Sequence, residues 1–161
     1  MRTLLCACAL ALAVILPAQS ASAQTISLVA TLTGGDENPA VLTGAVGTAE
    51  LNIDPAAREI EVTIRVFNLP AGSTAGHIHA GPRGVNGPVV VDFPIPTGRT
   101  GDFSLTFRVG PNSMRPQPGV GVVTMDDVIQ TITGGGGYVN IHSSANPGGE
   151  IRGQLTLRPT S

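Results

Sequence analysis

Hydrophobic and polar residues alternate with period two along most of this chain. In Arg58–Phe67, "REIEVTIRVF", Ile60, Val62, Ile64 and Val66 share one face and Glu59, Glu61, Thr63 and Arg65 the other. That pattern predicts a half-buried β-strand, because successive strand side chains point to opposite faces. Similar short segments recur: "ISLVATL" at 26–32, "AVGTAELNI" at 45–53, "GHIHA" at 76–80, "GPVVVDF" at 87–93, "GDFSLTFRV" at 101–109, "YVNIHS" at 138–143 and "EIRGQLTL" at 150–157. Turn-forming clusters separate them, among them "NIDPAAR", "NLPAGS", "PTGRTGD" and "SANPGG". The expected fold is all-β, a Greek-key β-sandwich or barrel of about 7–9 strands.

One segment departs from the alternation. In "TMDDVIQTITGGGG", Thr124 suits an N-cap, Asp126 and Asp127 fill a first turn, and Val128, Ile129 and Ile132 recur at helical spacing before a glycine run. A single short helix is expected near 125–133. The preceding "VGPNSMRPQPGVG" reads as an irregular connection.

Residues 1–23 stand apart from this pattern. Arg2, the apolar run "LLCACALALAVILPA" and the small residues Ala21, Ser22 and Ala23 read as a secretory signal peptide cleaved before Gln24. Both cysteines, Cys6 and Cys8, fall inside it, so the mature chain would carry no disulfide. Residues 24–161 are then expected to form one domain, exported to a periplasm or secreted, with no later membrane-spanning helix. Of the nine basic residues Arg2 would be lost, leaving eight arginines against eleven acids, a formal charge of −3. With no basic stripe and only five scattered aromatics (Phe67, Phe93, Phe103, Phe107 and Tyr138), nucleic acid is not an expected partner.

The chemistry concentrates in three histidines, His77, His79 and His142. Strand parity gives Ile78, Val139 and Ile141 to the core and sends all three imidazoles to the opposite face, with Tyr138 and Asn140. Glu150, Arg152 and Gln154 take that same face if Ile151, Leu155 and Leu157 are core. A register pairing His142 with Glu150 would set Asn140 beside Arg152, collecting imidazole, carboxylate, amide and guanidinium in one outer patch. An H-x-H pair plus a third histidine offers three nitrogens to one metal ion, which suits copper first and zinc second. Histidines that only hydrogen-bond within the fold are the alternative. Glu37, in "TGGDENPA", reads as a solvated turn or a group beside the metal ligands. Arg152 reads as a strand arginine paired with a glutamate, or as an anion-facing charge. No nucleophile elbow or phosphate-binding loop is present in the sequence.

Three stretches, "ATLTGGDENPAVLTGAVGTAELNID", "AGHIHAGPRGVNGPVVVDF" and "GGYVNIHSSANPGGEIRGQL", resemble in that order the signatures of the CHRD (chordin-type) domain family, which also occurs as free-standing exported bacterial proteins. The resemblance runs from about Leu28 to Leu157 and implies a β domain without an established reaction. The architecture is also similar to that of copper/zinc superoxide dismutases. That similarity implies copper on His77, His79 and His142, with Arg152 guiding an anion. The chain has no further histidine for a bridging ligand or a zinc site. The leading expectation is a non-enzymatic exported binding module with a surface metal site and an unidentified protein or small-anion partner. A copper-dependent redox enzyme and a purely structural or adhesive domain are the alternatives.

Overall fold

The computed structural model describes residues 25–159. The signal-peptide reading of 1–23, with Cys6 and Cys8, lies outside the described residues. The strands are β1 (Ile26–Thr33), β2 (Val46–Asp54), β3 (Glu59–Leu69), β4 (Ser73–Ala80), β5 (Val89–Asp92), β6 (Gly101–Val109), β7 (Gly137–Ser143), β8 (Ile151–Gln154) and β9 (Thr156–Leu157). They form one antiparallel sheet in the order β5-β4-β7-β8-β1-β2-β3-β6, with β9 also on β1. The sheet curls into a nearly closed barrel. Phe93, just after β5, and Phe107 of β6 approach to 5.2 Å between ring centroids, so the two ends of the sheet meet through side chains.

The period-two pattern does what it predicts. Ile60, Val62, Ile64 and Val66 of β3 are fully buried, as are Leu51 and Ile53 of β2 and Ile78, Val139 and Ile141 of β4 and β7. The helix α1 (Met125–Thr133) buries Met125, Val128, Ile129 and Ile132. Thr124 caps it through a reciprocal capping box with Asp127, satisfying amides that the helix start leaves free. The segment before it is not a bare loop: Met114 bridges to Val91, and Gln117 bridges to Val122.

The C-terminal segment departs from expectation in continuity and burial. The single strand expected at 150–157 is interrupted at Leu155: β8 pairs with both β7 and β1, whereas β9 pairs with β1. Leu155 stays buried, but Leu157 is 58% exposed rather than a core residue. The register on β1 is the same on both sides of the break, Thr33 opposite Arg152 and Leu28 opposite Leu157, so Leu157 keeps its parity and is exposed because β9 has lost β7 as a neighbour.

Candidate functional site

The outer face of β4, β7 and β8 carries a second buried layer made of polar groups. Every residue of β7 is buried, on the inner face by the core and on the outer face by three loops. The loops following β1, β4 and β7 fold over this face, and those after β1 and β4 tie to each other. Asn38 donates to Gly84 O at 2.7 Å, Asn86 donates to Asn38 O at 2.6 Å, and Arg83 pairs with Asp36 at 2.6 Å. Gly87 has to be glycine in this cover, since a Cβ there would lie 1.7 Å from Ala80 O.

Beneath the cover the three histidines meet. In the β4/β7 register His77 faces Asn140, His79 faces Tyr138 and Ala75 faces His142, which brings the imidazoles together on one face. One ring nitrogen from each of His77, His79 and His142 lies within 4.8 Å of the other two. The shared face follows the parity argument, but its exposure does not. His79 and His142 are each only 8% exposed, so the expected surface site is a covered one. Strand parity says which side a residue takes and cannot say whether a loop returns over it.

The outward nitrogens of these rings are already engaged. His79 Nδ1 lies 2.9 Å from Gly87 O and His142 Nδ1 lies 2.9 Å from Pro147 O. Carbonyls only accept, so both Nδ1 atoms carry the proton and both Nε2 atoms present a lone pair. His79 Nε2 is buried with no protein partner. His77 Nε2 lies 3.4 Å from Asp92 Oδ1, and its Nδ1 lies 3.0 Å from His142 Nε2. With Nε2–H directed at Asp92, His77 also turns a lone pair inward. Each ring is then left with one nitrogen bearing a lone pair while carbonyls and a carboxylate engage the other, as outer partners orient the imidazoles of metal sites. The alternative tautomer of His77 donates from Nδ1 to His142, which is the hydrogen-bonding arrangement of a metal-free cluster.

Burial holds all three histidines below the ordinary imidazole range. His77 falls to about 4, through burial first and then the charges of His142 and His79. Neutral imidazoles near neutral pH are the form that binds metal.

Around the triad, His79 stacks on Tyr138 at 4.8 Å between centroids, and the Arg152 guanidinium lies 4.6 Å from the centre of the same ring. Tyr138 was recognisable only as a residue of the histidine face. Asp92 carried no signal, because its pairing with His77 depends on the β4/β5 register, which shifts beside it. Asn140 faces Arg152 as the register argument requires. Arg152 is not paired with a glutamate: it is buried and donates to Asp36 O, Val85 O and Asn86 Oδ1. Glu150 leaves the expected patch, its carboxylate accepting from Ser143 Oγ and Asn146 Nδ2, each at 2.6 Å. It precedes β8, so strand alternation does not constrain it.

Glu37 is not a solvated turn residue. It is 9% exposed, with Oε1 unpartnered, and burial pushes its carboxyl up to about 7 against the opposing charge of Arg152. A carboxyl raised from 4.5 favours folding below 4.5 and loses that contribution as pH climbs through 7. The lowered histidines act oppositely, costing stability as pH falls below about 6.5. Glu37→Gln isolates the carboxylate: it should raise stability by up to about 3 kcal/mol at pH 8 and leave it unchanged at pH 4.5, read by urea denaturation at the two pH values. A gain equal at both would show that Glu37 is not protonated in the fold.

The family model for the CHRD domain matches residues 28–155, a span containing all of these side chains. No curated protein matches the chain.

Proposed function

As a chain that belongs to the CHRD family, this is a β-fold module, and we propose that it works as an exported, non-enzymatic binding domain holding one metal ion on His77, His79 and His142. The observation that carries the reading is the orientation of the rings. Backbone carbonyls hold His79 and His142 by Nδ1, which leaves His142 Nε2 3.0 Å from His77 Nδ1 and His79 Nε2 buried without a partner. A packing cluster would have no need to leave His79 Nε2 buried without a partner, an arrangement that costs free energy unless something completes it.

Three neutral nitrogens with no thiolate suit copper(II) first and zinc(II) second, and leave room in the coordination shell for a water or a small anion. Arg152 is held by the loops close to the Tyr138 ring on which His79 stacks, and supplies positive charge near that position. Export rests on the apolar, small-residue pattern of residues 1–23. Among the described residues no helix is long and apolar enough to cross a membrane.

Calorimetric titration of the protein with copper(II) and with zinc(II) at pH 7.5 tests the reading. One equivalent is expected to bind, copper more tightly, following the general affinity order of nitrogen sites. Absence of one-to-one uptake of either ion would overturn it and leave the histidines as a hydrogen-bonded packing cluster.

A further inference from the structure

The two ends of the sheet are finished differently. At one end β5 is covered: Met114 bridges Val91, and the Arg115 amide donates to Val90 O. At the other end β6 pairs with β3 on one side, and among the described residues no strand pairs with its other side. Exposed edges are commonly blunted by lysine, by proline or by being very short. β6 has nine residues, "GDFSLTFRV", with no lysine or proline among them.

The sequence of that edge is chemically palindromic about Leu105. Reading outward on both sides, Ser104 answers Thr106, Phe103 answers Phe107, and Asp102 answers Arg108. Two copies of β6 running antiparallel about a two-fold axis at Leu105 would therefore match like with like in the middle. Each end would place a carboxylate opposite a guanidinium. Cross-strand aromatic pairs and opposite charges are the pairings that stabilise antiparallel neighbours.

The burial pattern supports the same partner. Phe103, Leu105 and Phe107 face the core side opposite Val66, Ile64 and Val62 of β3. The three β3 residues are fully buried, whereas Phe103, Leu105 and Phe107 are only partly covered. Phe107 meets Phe93 from the other end of the sheet, and another strand beside β6 would cover the apolar surface of Phe103, Leu105 and Phe107 that this contact leaves exposed. Asp102 and Arg108 are both exposed. Asp102 Oδ1 accepts from the Asn68 amide, and Arg108 reaches Glu61 at 3.2 Å with its side chain 68% exposed.

We infer that β6 is a self-association edge, and that a second copy of this chain adds its own β6 antiparallel about Leu105 to form a two-fold dimer with one continuous sheet. Such an interface is isologous and closes at two copies, so it does not propagate into fibres.

Sedimentation equilibrium over a range from low micromolar to several hundred micromolar tests this, together with amide hydrogen exchange at both extremes. The mass should double, and the amides of β6 should gain protection with concentration while those of β5 stay unchanged. Asp102→Arg sets two guanidinium groups opposite each other at both ends and should weaken the dimer by about tenfold or more. Asp102→Asn keeps an oxygen for the Asn68 amide and should weaken it less, providing the comparison if the arginine variant folds poorly. A chain that stays monomeric throughout would overturn the inference. So would a dimer protected elsewhere than β6, or one indifferent to both substitutions.

Discussion

His79→Ala is expected to abolish one-to-one binding of copper(II) and zinc(II), lowering affinity by about 100-fold or more. Losing even an outer partner of a metal-bound imidazole costs roughly 10–100-fold, and His79 would be a direct ligand. Of the three, it is the ring whose inward nitrogen is buried without any partner. Its other nitrogen is held by Gly87 O and its face by Tyr138, so the ring is oriented before any ion arrives. The consequence should also appear in thermal unfolding. An ion present at 100 times its dissociation constant stabilises the protein by about 2.7 kcal/mol. That corresponds to a rise of roughly 5–15 °C in melting temperature for a domain of this size. In His79→Ala the rise should vanish while the metal-free protein still unfolds cooperatively. A variant that keeps the full shift would show that the ion sits elsewhere.

Gly153→Ala should be the most damaging small substitution on the same sheet, costing about 3 kcal/mol or more. A Cβ at Gly153 would stand 2.0 Å from Thr31 O and 3.0 Å from Leu32 Cδ2. The obstructing atom is backbone in a paired strand, so no rotamer change relieves the clash. Overpacking a well-filled interior costs about 1–3 kcal/mol even where side chains can adjust. Gly148→Ala is the matched control, since a Cβ there meets nothing within 4 Å. It should change stability by less than about 0.5 kcal/mol. Urea midpoints for the two variants separate the cases. Equal midpoints would mean that β8 can move away from β1 at little cost. Because β8 also carries Arg152, Gly153→Ala should weaken metal binding as well if that displacement reaches the histidine face.

Both expectations concern positions that the sequence treats unequally. His77, His79 and His142 could be placed on one face from parity alone, because Ile78, Val139 and Ile141 claim the core and adjacent strand residues must point oppositely. Asn140 beside Arg152 followed from the same logic, extended across a short connection. Gly153 gave no warning, since the approach of β1 to β8 is a contact between segments more than a hundred residues apart. Leu157 misled for a related reason: it keeps its register opposite Leu28, but β7 no longer pairs beside it, and parity does not record which neighbours cover a face.

The sequence by itself determined the strands other than the division of the last one, the side of the sheet their residues take, the helix with its Thr124 cap, and the family. These rest on local rules, the two-residue period of a strand and the unpaired amides of a helix start. What lies over the outer face was decided only in three dimensions. The loops after β1, β4 and β7 turned an exposed face into a buried polar layer, raised Glu37 to about 7 and lowered His77 to about 4. They also gave Arg152 carbonyls in place of a carboxylate and set Gly87 O and Pro147 O behind the histidine rings. Burial and hydrogen-bond partners arise from groups distant in the chain, and no local period records which loop returns over which strand.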